Sequence, residues 1–344
     1  MSTTLKSRQA NFELMRIFAM YLILLWHIKG HFMADSDVYH PLVIKVTNLM
    51  SSCISFHVDL FILMTGYFGI RNNKNAIIKN LLLCTSYLWG LNLVSYFSTG
   101  SFDIMEIIFP ISHSPWWFMT VYFMMVLVAP YVEKMFSTFS KKDWYAWLIT
   151  ITVINVYFGH LHHVGSVYLM GFNLINMINV YSIGAYIRTQ QDNRGDNKVV
   201  LKVLGGGKRI ALVMVILMIV RYIAGKITYH FDLDFQPGEY CSPIVIMMAV
   251  AVFALFQKMT IVPNKIISFF SSSAVSVYLI TEYPAVREFL INNFRNMYGL
   301  VCTNAFFGLL YVFVYATALF VICTIIDKIR ILIQTKIESL IYKE

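Results

Sequence analysis

Ten apolar segments of about 20 residues constrain what this chain can fold into. A helix of that length crosses about 30 Å of hydrocarbon, so each segment predicts one transmembrane helix. Only 13% of the residues are charged, against about 25% in soluble proteins. We therefore expect an all-α, polytopic integral membrane protein. The predicted spans are 12–32, 47–68, 77–97, 116–136, 144–160, 166–187, 210–230, 241–257, 266–286 and 300–326.

Lysine and arginine are distributed unevenly between alternate loops. Loops that stay in the cytoplasm are enriched in these residues. Most of the 27 basic residues fall near the two termini and in the loops on the same side, so both termini are predicted to be cytoplasmic. The net charge of +9 then reflects topology, and without a continuous basic patch no nucleic-acid partner is expected.

The longest polar interruption, at about 188–209, predicts a cytoplasmic linker inside a single transmembrane domain that covers 1–344. It is too short to be a soluble domain. The five cysteines lie in apolar runs without paired spacing, which indicates neither a disulfide framework nor a zinc site. The HLHH run at 160–163 has poor tetrahedral geometry and no evident fourth ligand, so no metal is expected.

The first predicted span carries three ionisable residues on one face. Glu13 lies one turn before Arg16, and Arg16 and His27, eleven positions apart, are nearly in line and roughly 16 Å apart along the helix axis. Such residues usually face a protein interior or a watery cavity, because exposing them at the bilayer centre is costly. The pattern predicts a helix that lines a passage. A snorkelling arginine and a histidine satisfied by a neighbouring helix would explain it equally well.

Polar residues also interrupt other spans. His57 and Asp59 lie midway along the second span and point in different directions, so each needs a partner on another helix. Arg221 lies midway along the seventh span, where an arginine needs a carboxylate or an anionic ligand.

The sixth span carries Asn173, Asn176 and Asn179 at a spacing of three, a face through which helices can approach and hydrogen-bond. Trp116 and Trp117 stand at the outer boundary of the fourth span. Tryptophans in that position are typical of interface anchors.

Five stretches share features with one family. ELMRIFAMYLILLWH has an acidic residue, an arginine and then a histidine about eleven positions further on, and HVDLFILMTGYF is similar to a DLFF-like stretch that ends in SGY or SGF. The others are SPWWFMTVYFMMVLVAPY, NVYSIGAYIR and SSSAVSVYLITEYP. Together they resemble the bacterial membrane acyltransferases of the acyltransferase-3 type, which O-acylate cell-surface glycans. Thr65 stands where that family usually has serine, and Thr281 where many members have histidine.

The resemblance implies a multi-pass protein of the bacterial inner membrane that transfers an acyl group, commonly acetyl from acetyl-CoA, to a hydroxyl of a surface or exported polysaccharide. Acyl transfer needs a base, and a histidine side chain, with an ordinary pKa of about 6.5, suits this role. His27 is the predicted base. Asp59 and Glu282 are predicted to orient a catalytic group.

The remaining predicted roles concern the two substrates. Basic residues near the cytoplasmic face suit the phosphates of CoA, although topology alone also explains them. The predicted donor-site residues are Arg16, Arg71, Lys74 and, more weakly, Arg188. Glu13 is predicted to hold Arg16 in position. The predicted acceptor-site residues are Trp116, Trp117, Arg221, Asn173 and His57.

Two other functions fit the same features. A secondary transporter or an exporter of a saccharide or lipid-linked saccharide would also use many helices and buried charges, and would move an intact solute without turnover of acyl-CoA. A non-catalytic sensor or assembly partner would use buried charges only to hold helices together. Release of free thiol from acetyl-CoA distinguishes the three.

Overall fold

The computed structural model describes residues 9–34, 36–70, 73–192, 205–234 and 236–341, and every regular element within them is helical. This confirms the all-α prediction. Among these residues, six helices are long and apolar enough to cross a membrane, namely Ala10–Phe32, Pro41–Phe68, Lys74–Thr99, Trp117–Ser137, Gly207–His230 and Ala305–Lys336. A bent pair, Lys265–Thr281 with Pro284–Val301, adds a seventh candidate. The number of ten spans and the cytoplasmic side of the termini stay predictions.

The α-helices follow one another along the chain, with two π-helical segments and two short 3₁₀ turns between them. They are α1 (Ala10–His27), α2 (Pro41–Ile54), α3 (His57–Phe68), α4 (Asn73–Thr99), α5 (Ile104–Ile108), α6 (Trp117–Ser137), α7 (Lys141–Val153), α8 (Gly165–Tyr168), α9 (Leu174–Asp192), α10 (Gly207–His230), α11 (Pro243–Lys258), α12 (Lys265–Ser271), α13 (Ala274–Thr281), α14 (Pro284–Val301) and α15 (Ala305–Ile341). The π-helical segments are Ile28–Phe32 and Ile154–Leu161.

The chain divides into two compact units. The first consists of Met1–Asn48 and Thr260–Glu344, and the second of Leu49–Met259. A single transmembrane domain over 1–344 stays a prediction. So does the linker at 188–209, of which residues 193–204 lie outside the described residues.

In the first unit, α1 packs against α12, α13 and α15, and α14 packs along α15. The C-terminal end of α1 widens into the π-helix Ile28–Phe32, where the N–H of Met33 donates to the carbonyl oxygen of Ile28 at 3.0 Å. This bond spans five residues instead of four, which inserts one extra residue into the turn. The ring of Phe32 packs edge-on against Phe294 and Tyr315, so the end of the π-helix is held in an aromatic cluster.

In the second unit, α3 and α9 pack closely against each other. Two glycines make this possible. A Cβ atom on Gly66 would collide with the carbonyl oxygen of Tyr181, and a Cβ atom on Gly184 with that of Leu63. The two helix backbones therefore touch at these glycines, which have no side chain to keep the helices apart.

The predicted span 166–187 begins later in the structure. Leu169 and Met170 have φ values of 34° and 53°, and Gly171 has a φ of 85°, so the chain turns here and α9 starts only at Leu174. Left-handed conformations at three successive positions end a helix, since side chains other than glycine rarely adopt them. Asn173, the first of the three asparagines, therefore lies in the turn ahead of α9 and not within the helix.

The predicted span 144–160 begins earlier than expected. The hydroxyl of Ser140 accepts from the N–H of Asp143, and the Asp143 carboxylate accepts from the N–H of Ser140, which caps the start of α7. These hydrogen bonds hold the pKa of Asp143 below its ordinary value. A search for apolar residues leaves out the polar residues that cap a helix. Hydropathy therefore places the start of this span at 144, after the start of α7 at Lys141.

Gly184→Ala should destabilise the protein because the added methyl group forces α3 and α9 apart. Overpacking of this kind costs about 1–3 kcal/mol, which exceeds the gain of about 1 kcal/mol in helix propensity. Thermal unfolding in detergent measures the change. Gly90→Ala in α4 is the matched control, since its Cβ meets no atom within 4 Å. Equal midpoints for the two variants would contradict the close packing.

Candidate active site

The polar residues of α1 lie at its two ends and face neighbouring helices of the first unit. Near the N-terminal end, the hydroxyl of Ser268 donates to the Glu13 carboxylate at 2.8 Å, and the Arg16 guanidinium donates to the hydroxyl of Ser271 at 3.2 Å. Both serines belong to α12. Hence the predicted stripe faces protein along this part of the helix, as expected for ionisable groups in a membrane.

At the other end of α1, His27 lies against Glu282. The Nδ1 atom of His27 is 3.0 Å from Oε1 of Glu282, an ion-pair distance, although the angle at this contact is not that of a well-aligned hydrogen bond. The glutamate side chain is 8% exposed and that of His27 is 15% exposed. The carboxylate is thus buried, while the imidazole stays partly open.

Two further side chains contact the second oxygen of Glu282. Nε2 of His31 lies 3.5 Å from Oε2, and Nη1 of Arg287 donates to it at 3.3 Å. A buried carboxylate is stable only when its charge is compensated. The guanidinium of Arg287, which is always protonated, is one compensating charge beside this carboxylate.

Glu282 has this position because the helix breaks next to it. α13 ends at Thr281, and α14 begins at Pro284 with its axis turned by 86°. Proline has no N–H to donate and fits the first turn of a helix, so it starts α14 without continuing α13. In the bend, the carboxylate can point toward α1 instead of toward its own helix.

The π-helix positions the second histidine. His27 is the last residue of α1 and His31 lies in the π-helical segment, with ring centroids 5.6 Å apart. The ring of Tyr278 on α13 lies 6.0 Å from that of His27 and walls one side. The resulting arrangement places an imidazole at ion-pair distance from a buried carboxylate. An imidazole in this position can accept and return a proton.

Thr281 occupies the position at which many members of the resembled family have a histidine. Its hydroxyl donates to the carbonyl oxygen of Val277 at 2.9 Å, and the side chain is buried. The hydroxyl is therefore engaged with its own helix, and the ionisable group at this bend is the adjacent Glu282.

Sequence reasoning did not single out His31 and Arg287 as site residues. A signal for His31 was present, because it follows His27 by four positions and so shares a helix face with it. Arg287 gave no such signal. It reaches Glu282 only because α14 turns away from α13 at the bend.

The predicted donor-site residues other than Glu13 and Arg16 have varied positions. Arg71 lies outside the described residues, and Lys74 is exposed in the first turn of α4. Arg188 on α9 donates to the Glu133 carboxylate at 2.7 Å and to the carbonyl oxygen of Gly66 at 3.1 Å. It therefore connects α9 to α6 and α3, and its role toward CoA stays a prediction.

The predicted acceptor-site residues and Asp59 belong to the second unit, where most of them are buried. His57 and Asp59 are fully buried on α3, and Trp116 is fully buried ahead of α6. The amide of Asn176 donates to Asp59 at 3.4 Å, whereas the amide of Asn173 donates to the carbonyl oxygen of Val167 at 2.9 Å. Their functional roles stay predictions.

Two of the predicted acceptor-site residues meet at one aromatic ring. The ring of Trp117 stacks on Tyr240 with centroids 6.0 Å apart, and that of His57 meets Tyr240 edge-on at 5.7 Å. Arg221 packs against Gly238 and forms no ion pair with an acidic side chain among the described residues. Of the two partners predicted for Arg221, a carboxylate or an anionic ligand, the described residues supply no carboxylate at ion-pair distance.

The family model of an acyltransferase domain matches residues 9–328, which include the bend at Glu282 and nearly all of both units. The chain belongs to the acyltransferase-3 family. Together with its apolar helices, this identifies a membrane protein with the domain of an acyltransferase. No curated protein and no solved structure matches the chain significantly.

Arg188→Ala in this acyltransferase-3 chain should destabilise it by about 1–3 kcal/mol, because hydrogen bonds to a charged, partly buried group are lost. The side chains of Arg188 and Glu133 are 18% and 25% exposed, so solvent screens the pair only in part. Thermal unfolding in detergent measures the effect. Lys74→Ala, at an exposed position, should leave the midpoint unchanged. A lower midpoint for Lys74→Ala than for Arg188→Ala would contradict the structural role of Arg188.

Proposed function

We propose that the chain is a membrane O-acyltransferase that moves an acyl group, and specifically acetyl, from cytoplasmic acetyl-CoA to a hydroxyl of a cell-surface or exported polysaccharide. The contact between His27 and the buried Glu282 carries the proposal, because it supplies an oriented base within a membrane-spanning helix. Membership of the acyltransferase-3 family supports the reaction class. The proposed setting is the bacterial inner membrane, with ten spans and both termini in the cytoplasm.

His27 acts as the general base in this reaction. The acceptor hydroxyl gives its proton to the imidazole while its oxygen attacks the carbonyl carbon of the thioester. The C–S bond of the tetrahedral intermediate then breaks, the acyl group stays on the acceptor oxygen, and His27 returns the proton to the departing thiolate. Because a thioester is already activated, positioning and a base suffice without a covalent enzyme intermediate.

Glu282 orients His27 and stabilises the imidazolium that forms during transfer. Before the proton is transferred, the positively charged partner of the Glu282 carboxylate is Arg287, at 3.3 Å. When His27 takes the proton, the carboxylate at 3.0 Å from Nδ1 gains a second positive neighbour without rearrangement. Preorganised charge of this kind stabilises a transition state because no reorganisation is needed at the moment of reaction.

CoA phosphates bind to the basic residues at the cytoplasmic ends of the helices, and Arg16, which donates to Ser271, is the first of them. Glu13, one turn earlier on the same helix, is the proposed residue that holds Arg16 in position. Arg71 and Lys74 are further candidates. Arg188 would have to exchange Glu133 for a phosphate, which makes it the weakest. Since roughly 16 Å of helix separates Arg16 from His27, the arginine holds the nucleotide end of the donor and the histidine meets its acyl end.

The candidate residues for binding the acceptor glycan are aromatic and polar. The ring of Trp117, which is only partly buried, offers a face for a sugar ring. Arg221, Asn173, His57 and Trp116 are the other candidates, and Asp59 is a further candidate for orienting a catalytic group. Trp116 and His57 are the weakest of the acceptor-site candidates, because both side chains are fully buried.

His27→Ala should lower the rate of acetyl transfer by about 10²–10⁴-fold, the contribution that general base catalysis typically makes. Glu282→Gln should also reduce the rate of acetyl transfer, but by less than His27→Ala does. The imidazole then loses its negatively charged partner, while the amide keeps nearly the shape of the carboxylate. The release of free CoA thiol from acetyl-CoA by purified protein, with and without candidate glycans, measures the rate. His113→Ala, at an exposed histidine, is the control.

Unchanged thiol release in His27→Ala would refute the assignment of the base. Movement of intact saccharide by the wild-type protein without any thiol release would favour the transporter function instead.

Arg16→Ala should weaken the binding of acetyl-CoA about tenfold, since a charge-assisted hydrogen bond to phosphate is lost. Titration calorimetry in detergent measures the dissociation constant. Lys45→Ala removes an exposed positive charge from α2 and serves as the control. Equal affinity in Arg16→Ala and wild type would exclude Arg16 from the donor site.

A further inference from the structure

Three potential metal ligands meet in the second unit, outside the site formed by His27 and Glu282. Nδ1 of His160 lies 3.0 Å from Oε2 of Glu239, and Sγ of Cys241 lies 3.9 Å from that nitrogen and 3.8 Å from that oxygen. All three side chains are buried. We name this group the His160 cluster.

Two segments far apart in the sequence contribute to the His160 cluster. His160 comes from the π-helical segment Ile154–Leu161, and Glu239 and Cys241 come from the turn ahead of α11. The other carboxylate oxygen of Glu239 accepts from the hydroxyl of Tyr168 at 2.7 Å. This hydrogen bond leaves Oε2 directed at the histidine and the cysteine.

The spacing of the three atoms matches the face of a tetrahedron around zinc. With Zn–N and Zn–O bonds of about 2.0–2.1 Å and a Zn–S bond of about 2.3 Å, tetrahedral ligand atoms lie about 3.3–3.6 Å apart. The measured separations of 3.0, 3.8 and 3.9 Å differ from these values by only a few tenths of an ångström. Binding would therefore need no movement of the backbone.

The burial of Glu239 also favours a cation. A buried carboxylate needs a compensating positive charge, and a divalent ion bound to its Oε2 atom would supply one.

A second trio of potential ligands, His27, His31 and Glu282, does not share these features. The guanidinium of Arg287 already contacts its carboxylate, and a fixed positive charge disfavours a nearby metal ion. It also has no sulfur ligand. The two trios therefore differ in both charge and ligand type.

We propose that His160, Glu239 and Cys241 bind a zinc ion. The combination of imidazole, carboxylate and thiolate is one that zinc accepts, whereas magnesium and calcium require oxygen ligands. The ion joins the segment Ile154–Leu161 to the turn ahead of α11, and it leaves one tetrahedral position for a fourth ligand. This proposal does not rest on the acyltransferase reaction.

The HLHH run contributes one ligand, not three. His162 is exposed, and the ring of His163 stacks on Tyr168 with centroids 3.9 Å apart. Only His160 points to the cluster. Neighbouring histidines in a loop cannot surround one ion, but one of them can complete a site whose other ligands are 79 and 81 positions away.

Zinc binding is tested on the full chain, purified in detergent with a histidine-free affinity tag, stripped with a chelator, reloaded with Zn²⁺ and desalted. Elemental analysis should find about one zinc ion per chain in the wild type. Cys241→Ser and His160→Gln should each weaken zinc binding at least about tenfold, measured by competition with a chromogenic chelator. His162→Gln is the matched control and should bind like the wild type.

Cobalt substitution of the wild type gives a second, independent measurement. Co²⁺ bound to a thiolate produces a charge-transfer band in the near ultraviolet, and this band should persist in Cys302→Ser but not in Cys241→Ser. If Cys241→Ser does not fold, the wild-type spectrum alone decides. The absence of a thiolate band in the wild type, or equal zinc affinity in wild type, Cys241→Ser and His160→Gln, would overturn the proposal.

Discussion

A buried carboxylate at a helix break is the constraint on which the candidate active site depends. Glu282 could not be ionised inside an apolar unit without compensation, because removing a charge from water costs several kcal/mol. Arg287 on the far side of the bend is one compensating charge, and Pro284 starts α14 without continuing α13. The contact between Glu282 and His27 is therefore a result of backbone geometry and charge balance together. Neither alone would hold the imidazole.

The part of the site on α1 could be predicted from the sequence. A helix is periodic, so the spacing of Glu13, Arg16 and His27 determined which face they share, and that face meets protein at both ends. On the bend, Glu282 was predicted with the help of the family resemblance, but Arg287 and the direction of the bend were not. A change of direction of 86° between α13 and α14 depends on packing against α1 and α15, and no periodicity in the sequence encodes it.

The predicted span bounds differ from the helix bounds where the backbone departs from a straight α-helix. Hydropathy records how apolar a segment is, but not whether its residues have left-handed φ values, as Leu169 and Met170 do. The paired roles of Gly66 and Gly184 were equally hidden, since each glycine matters only through the other helix. Similarly, the sequence did not indicate that His160 lies beside Glu239 and Cys241, because these two residues belong to a distant segment. The glycine pair and the neighbours of His160 both depend on contacts between distant segments, which the sequence pattern does not record.

The π-helical turn Ile28–Phe32 has a consequence for how this chain tolerates changes in length. A π turn is an α-helix with one residue inserted, so deleting one residue there would restore ordinary helical hydrogen bonding and leave the apolar character unchanged. It would also rotate everything beyond the deletion by about 100° relative to α1. His31 would leave Glu282, and Phe32 its aromatic cluster. This segment should therefore tolerate a change of an apolar side chain better than a change in its number of residues.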